Sequence, residues 1–490
     1  MTSIVNFFPV ILVALGALAS LVVEPFIKDE NKHKVIPWLS TVFVVLGLAS
    51  FALVTTDTCH DLFAMDPIRR VLGIAVLLCA LLGIAGLQWT LGHEGFKGGE
   101  AYGLLQLASC GALLMTQSID FLSLFIAMEL TSFPVYALVG IRRKDQNAGE
   151  GVFKYFVSGS IFSALFLYGV ALIYGATGTT HFSATILSGR ETLYAIGVML
   201  AAIGLLFKAG AAPVHFWVAD VYTGASVAVT GFMAAVVKVG ALAALGSVWL
   251  GVLVTRAGVA GAWNLSEQVT AAGQSKALFY TVLIVAVLSI VIGAFSGLAQ
   301  KSIRRILAFS AVMNAGFIAI GLLLPNYMGS GTVQLGAMYY FLVTYAIASA
   351  GALTGVAYLS GSGDKKENLE DIQGAGRRHP FVALCVAVCL ASLAGLPPVA
   401  GFLAKFALFT GAFSASLGAL AIFAFALSLV AAVYYLRVAY VLFMPAKAEC
   451  ECKCSCKDRA TFGYMLKFTV SVAALVLLAL SLVPGFALIG

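Results

Sequence analysis

A chain of 490 residues with 61% hydrophobic and only 10% charged residues falls outside the range of soluble globular proteins, in which about a quarter of residues are charged. Its formal charge of +7 lies mostly in short loops between apolar runs, which fits membrane topology and contact with anionic lipid and gives little reason to invoke nucleic acid. It carries no Walker A sequence, no strand–glycine–helix dinucleotide fingerprint and no zincin motif. The chain is therefore expected to move or scaffold something, with no cofactor of its own and any redox chemistry elsewhere.

Windows of about twenty apolar residues mark spanning helices. The sequence predicts an all-α polytopic membrane protein of about fourteen such spans, at 4–24, 37–55, 70–90, 101–117, 120–140, 151–175, 190–221, 226–251, 276–297, 303–324, 334–360, 380–411, 414–443 and 462–484. The first run contains Ala17-Leu18-Ala19, which resembles a signal-peptidase site. It lacks a basic leader and is long enough to span, so it is read as a retained helix. Loops after odd-numbered spans carry most of the lysine and arginine, including Lys28, Lys34, Arg142, Arg143, Arg304 and Arg378, whereas those after even-numbered spans carry only Arg69, Arg70, Arg190, Arg256 and Lys276. The bias places odd loops in the cytoplasm and both termini outside.

The seventh and twelfth spans are overlong and interrupted. Residues 204–220 read GLLFKAGAAPVHFWVAD, with Pro213 breaking the helix just after Lys208 and just before His215. Proline removes a backbone donor and clashes with the preceding turn, and in lipid the freed carbonyls need protein or trapped water. The pattern recurs as Ala394-Gly395-Leu396-Pro397-Pro398-Val399, with Lys405 beyond it. An odd offset between two broken spans implies opposite entry into the membrane, hence inverted repeats of spans 4–8 (residues 100–252) and 9–13 (residues 275–443). Spans 1–3 (residues 1–95), a cysteine-bearing cytoplasmic loop (444–461) and a last helix (462–490) flank them.

Charged side chains in mid-membrane cost about 2.5–3.5 kcal/mol each on insertion scales, yet Glu129, Lys154, Lys208, Lys238 and Lys405 all lie in spans. They must pair, bind water or exchange protons. Burial disfavours an ammonium and a nearby carboxylate favours it, so lysines held between the two can accept and release protons. Glu129 is expected to act on Lys208, which passes its proton to Lys238 and onward to Lys405. Each has a plainer reading: a structural Glu129–Lys208 ion pair, Lys154 snorkelling from a helix end, Lys238 and Lys405 as static polar contacts, His215 as a hydrogen-bonded core residue. Tyr435 and Arg437 read as interfacial anchors, Asp66 and Asp120 as caps.

Cys59, Cys79, Cys110, Cys385 and Cys389 lie in or near apolar runs and behave as small hydrophobes. Cys450, Cys452, Cys454 and Cys456 alternate along a loop, a spacing unlike that of structural zinc sites. That loop is read as solvated and reduced, with no metal.

The same stretches resemble the antiporter-like membrane subunits of proton-pumping NADH–quinone oxidoreductase (respiratory complex I), relatives of Mrp-type antiporter subunits. The likeness rests on Met128-Glu129-Leu130 with Tyr136-Ala137-Leu138, Lys154-Tyr155-Phe156, Tyr174-Gly175-Ala176-Thr177-Gly178, and Phe207-Lys208 through Pro213, His215 and Trp217. It continues through Leu393-Ala394-Gly395-Leu396-Pro397-Pro398, Gly401-Phe402-Leu403-Ala404-Lys405-Phe406 and Tyr434-Tyr435-Leu436-Arg437. The resemblance implies a translocase subunit in a bacterial inner membrane, moving protons along Glu129, Lys154, Lys208, Lys238 and Lys405. Electrons would pass from NADH through FMN and Fe–S clusters to quinone in other subunits of the complex. The implied partners are an M-type neighbour and small helical subunits. Lys405 favours type N over type M, which typically carries glutamate there, and the absence of a long lateral helix favours N over L.

Two positions depart from the pattern: Asn314 stands where histidine is frequent, and Arg304 where lysine is usual. Asparagine cannot titrate, so water would have to bridge Lys238 and Lys405. The alternatives are an Mrp-type cation/proton antiporter subunit, the equivalent subunit of a hydrogenase- or F420-linked complex, or a membrane scaffold whose charges only hold helices together.

Overall fold

The structure, a computed structural model, describes residues 5–482 apart from 56–57, 60, 95–97, 143–144, 258–275, 325–334, 362–367 and 446–455. The alternating cysteines at 450, 452 and 454 lie outside the described residues, as does the side chain of Cys456. The fold is a helical bundle whose only named strands, β1 (Thr58–Cys59) and β2 (Ala64–Met65), form a small antiparallel pair among the described residues. Its helices are α1 (Phe8–Val23), α2 (Asp29–Ser50), α3 (Pro67–Glu94), α4 (Glu100–Gln117), α5 (Phe121–Val139), α6 (Gln146–Thr177) and α7 (Glu191–Ala209). They continue with α8 (Val218–Gly224), α9 (Val227–Phe232), α10 (Lys238–Ala257), α11 (Lys276–Ala299), α12 (Ile303–Gly321), α13 (Gly336–Ser360), α14 (Pro380–Ala394), α15 (Ala400–Ser414), α16 (Gly418–Phe443) and α17 (Cys456–Leu482). Twelve described helical stretches are long and apolar enough to cross a membrane; α4 and the short pair α14 and α15 fall outside that set.

The helix starts follow from their caps. The Asp120 carboxylate accepts from the backbone N–H groups of Leu122 and Ser123, each at 2.9 Å, satisfying two donors that an isolated helix start leaves orphaned. Asp145 does the same for Asn147 at the head of α6, and Ser226 for Val229 at the head of α9.

Residues 227–253 and 338–360 are buried throughout. A helix that is apolar on every side belongs in the interior of a bundle, and α13 packs against α3, α9, α14 and α17. By contrast α6 and α16 turn Phe153, Ile161 and Tyr168, and Ile422, Phe425 and Leu429, outward. Between α9 and α10 the chain makes one π-helical turn, Met233–Val237, which delivers Lys238 at its end. Such turns displace the hydrogen-bond ladder and concentrate at functional sites.

Both interrupted spans break in the same local way. After α7, Gly210 takes φ +67° and the N–H of Ala211 reaches back to the Leu206 carbonyl at 3.0 Å. After α14, Gly395 takes φ +79° and the N–H of Leu396 reaches the Ala391 carbonyl at 3.0 Å. This is the Schellman termination, which needs a left-handed residue at its turn, hence glycine. Pro213, Pro397 and Pro398 follow on exposed backbone, with the Ala212–Pro213 and Pro397–Pro398 peptides cis.

A Cβ on Gly395 would stand 2.8 Å from Lys405 Cδ. Gly395→Ala is therefore expected to destabilise the protein by about 1–3 kcal/mol through backbone strain alone, with displacement of Lys405 added. Gly149→Ala, where a Cβ meets nothing within 4 Å, is the matched control. Thermal inactivation of the detergent-purified protein measures the difference.

Candidate proton path

Three lysine ammonium groups are buried in the bundle, and among the described residues none of them forms an ion pair. Each is instead held by uncharged acceptors. In the last turn of α7, Lys208 Nζ donates to Ser132 Oγ at 2.6 Å and to Tyr136 Oη at 3.0 Å, both on α5. It also lies 5.2 Å from the centre of the Tyr136 ring, within cation–π range.

Glu129 stands on the same helix, one turn before Ser132, half-buried, and accepts from Ser163 Oγ of α6 at 2.5 Å. The direct Glu129–Lys208 pair expected from sequence is not formed. Hydroxyl groups occupy both partners, Ser163 on the carboxylate and Ser132 and Tyr136 on the ammonium.

At the end of the π-turn, Lys238 Nζ donates to the Ala311 carbonyl of α12 at 2.8 Å. It lies against the first break, 3.7 Å from where a Cβ on Gly210 would be. The next groups along α12 continue the polar row. Asn314 Nδ2 donates to the Ser310 carbonyl at 2.7 Å and to Tyr435 Oη at 3.2 Å, while Ser310 and Tyr435 hydroxyls bond one another.

Tyr435 is thus fully buried on α16, a correction to its reading as an interfacial anchor. α16 runs on to Phe443, which sets this residue two turns inside the helix end. Arg437 keeps an outward position, with Nη1 donating to the Gln300 carbonyl at 3.5 Å.

Seven residues before Tyr435, on the same face and about 10 Å away along the helix, Ser428 accepts from Lys405 Nζ at 2.9 Å. Lys405 also donates to the Leu393 and Ala394 carbonyls at 2.9 and 3.0 Å. A cation thereby satisfies the orphaned carbonyls at the C-terminal, partially negative end of α14. At the first break the equivalent work is done by a neutral donor, Trp217 Nε1, on the Phe207 carbonyl at 3.1 Å. A cleft of about 370 Å³ lined by Lys405, Phe402, Phe409, Phe425 and Ser428 opens over this amine.

Lys154 and His215 do not join the buried row. Lys154 is exposed, bonded to Glu150 at 2.6 Å and Asp220 at 2.7 Å, and Asp220 also holds Arg305 at 3.0 Å. His215 sits half-buried in the break itself. Arg304 is buried and caps α8, its Nη1 donating to the Thr223 and Ala225 carbonyls at 2.7 Å each. The groups that sequence reasoning missed are the hydroxyls and one amide: Ser132, Tyr136, Ser163, Ser310, Asn314 as a linker, and Ser428. Serine and tyrosine inside apolar helices carry no spacing signal.

Residues 118–431 match the family model described as NADH:quinone oxidoreductase/Mrp antiporter, TM. The chain is 33% identical to the NADH-quinone oxidoreductase subunit N of Herminiimonas arsenicoxydans, covering 99% of this chain and 96% of that one. It is 32% identical to the subunit N of Laribacter hongkongensis, covering 97% and 94%. Among solved structures, a chain of respiratory complex I from Thermus thermophilus superimposes with a TM-score of 0.78 at 30% identity, covering 98% of each chain. A chain of the Mrp complex from Dietzia sp. DQ12-45-1b shares the fold, with a TM-score of 0.78 at 20% identity over 99% of this chain and 95% of that one. Family match, full-length relatives and the buried lysines of two similarly broken helices lead to one conclusion: the chain belongs to the NADH:quinone oxidoreductase/Mrp antiporter family of membrane subunits.

Proposed function

We propose that this chain is the N-type membrane-arm subunit of a bacterial NADH–quinone oxidoreductase and that it translocates protons. The observation that carries the reading is the set of three buried ammonium groups, Lys208, Lys238 and Lys405, each held by neutral oxygens. A permanently charged buried amine without a counter-ion costs several kcal/mol. An amine that binds and releases a proton needs just such surroundings.

In this reading a proton held at Lys208 passes by way of the first break to Lys238. It then follows Ser310, Asn314 and Tyr435 with intervening water to Ser428 and Lys405. A proton leaves an ammonium N–H for an oxygen lone pair and passes from oxygen to the nitrogen of the next neutral amine, and the amine left neutral takes the following proton. Glu129 sets the field at Lys208, so a change in its position or hydration times the first transfer. Lys154 and His215 serve the route at its edge, Lys154 through Asp220.

Fourteen crossings are inferred, with α4 and the α14–α15 pair completing the set, arranged as inverted repeats of residues 100–252 and 275–443. The shared Schellman breaks support that symmetry. The chain itself does no redox chemistry; NADH, FMN, Fe–S clusters and quinone belong to other subunits, and M-type and small helical subunits flank it. It spans the inner membrane many times, with both termini on the periplasmic side by the positive-inside bias. The higher identity to subunit N relatives than to the Mrp chain favours this reading over a cation antiporter.

The test is Lys208→Ala in the assembled complex reconstituted into vesicles, reading protons moved per NADH oxidised. A pumping role predicts normal assembly with a lowered ratio. A scaffold predicts poorer assembly with an unchanged ratio per assembled complex, and that outcome would sink the proposal.

A further inference from the structure

A second buried charged cluster lies away from the lysine row, where α3 begins. Asp66 and Arg69 are both buried and form an ion pair, and Asp66 Oδ1 also accepts from the Arg69 backbone N–H at 2.7 Å. Arg69 Nη2 reaches Ser247 Oγ of α10 at 3.5 Å. Tyr339, near the start of α13, places its hydroxyl over Gly246, where a Cβ would be 2.2 Å from it, in the field of both Arg69 and Asp66. Capping explains the Asp66 contact to the backbone. It does not explain why a serine and a tyrosine from two other helices converge on the Arg69 guanidinium inside the bundle.

Two hydroxyls point to a use. Tyr339 Oη and Tyr345 Oη are buried beside the hydroxyls of Ser247 and Ser349 and make no well-formed hydrogen bond. They are six residues apart on α13, about 9 Å along the axis. Lys238 Nζ lies 5.9 Å from the Tyr345 ring centre. On α10, Lys238 and Ser247 are separated by about 13 Å of helix, and the two tyrosines lie along that stretch on the neighbouring, oppositely directed helix. The two orphaned hydroxyls therefore mark the two ends of the interval between the central amine and the ion pair. Orphaned buried hydroxyls are places where water is retained.

We propose that Asp66, Arg69, Ser247 and Tyr339 form a gate between Lys238 and the membrane side onto which α3 opens, the periplasmic side by the topology above. The inference rests on the proton-translocating reading and adds a branch to it. While the gate is closed, the Asp66 carboxylate and the Arg69 guanidinium bond one another. A proton released by Lys238 moves along water to Tyr339, which accepts it on oxygen as it donates its own to the Asp66 carboxylate. Asp66 then no longer holds Arg69, which stays cationic. Loss of that proton from Asp66 to outside water restores the pair. One proton has moved; Tyr339, Asp66 and Arg69 are as they began, and Lys238, left as a neutral amine, is recharged by the next proton from Lys208.

The decisive variant is Asp66→Asn, because asparagine keeps an N-cap oxygen for α3 but cannot carry the proton. It is compared with Lys238→Ala in the assembled complex in vesicles, by protons moved per NADH oxidised. A gate predicts that Asp66→Asn assembles, lowers the ratio, and adds nothing further when combined with Lys238→Ala. If Lys238→Ala lowers the ratio and Asp66→Asn leaves it native, the pair is a helix cap and the gate is refuted. If neither changes the ratio, the lysine route itself fails. Should Asp66→Asn not assemble, Tyr339→Phe, which removes only one hydroxyl, decides the matter: a lowered ratio supports the gate and a native ratio overturns it.

Discussion

Replacing Lys238 with alanine is expected to stop proton movement through this chain while the complex still assembles. The side chain makes one hydrogen bond, to the Ala311 carbonyl, in one of the two stretches that are buried throughout. Truncating a long buried side chain ordinarily costs about 2–5 kcal/mol through the cavity left behind. Removing an ammonium that has no counter-ion returns a desolvation penalty of several kcal/mol, so the two effects offset and folding survives. Transport has no such compensation. Without Lys238 no other amine among the described residues stands between the first break and the Ser310–Tyr435 pair. A barrier raised by only about 1.4 kcal/mol already slows transfer tenfold, and losing the sole amine there should exceed that. Dye quenching during NADH oxidation, normalised to assembled complex, measures the effect; an undiminished ratio would rule out Lys238 as a carrier.

The features of this site that could be read beforehand are those that sequence must encode locally. A glycine with positive φ followed by proline is a common, locally encoded way to end a helix, and both breaks stand where Gly210–Pro213 and Gly395–Pro398 indicate. Lys208, Lys238 and Lys405 were legible because charge in an apolar run is costly wherever it occurs.

Their partners were not legible. Ser132 and Tyr136 lie more than seventy residues from Lys208, and nothing in α5 distinguishes their hydroxyls from those of ordinary apolar-helix residues. The same holds for Ser428. Glu129 looked like a direct partner because it was the lone mid-span carboxylate, whereas the fold interposes hydroxyls. Tyr435 reads as interfacial because it lies in the last third of its span, whereas packing turns it inward onto Ser310 and Asn314. The π-turn that sets Lys238 leaves no trace in Met233-Ala234-Ala235-Val236-Val237, since it is imposed by packing on α4, α3 and α13.

Lys405 allows the structural and protonic roles of a buried amine to be separated, because it does both. Its ammonium donates to two carbonyls at the end of α14 as well as to Ser428. Lys405→Ala leaves those carbonyls without a donor, a loss of about 1–3 kcal/mol for each buried group left unsatisfied, and should lower both assembly and pumping. Lys405→Arg keeps a cation with several donors at the same helix end, and the cleft beside Phe402 and Phe425 has room for the larger head. A guanidinium is never deprotonated in proteins. The arginine variant is therefore expected to assemble near the native level, with the α14 end still capped, and yet to pass protons at least about tenfold more slowly, because a group that cannot lose its proton cannot hand one on. Stability and proton-to-NADH ratio, measured on the same preparation, give the two readouts. An arginine variant that pumps at the native ratio would make Lys405 a helix cap and move the end of the route elsewhere.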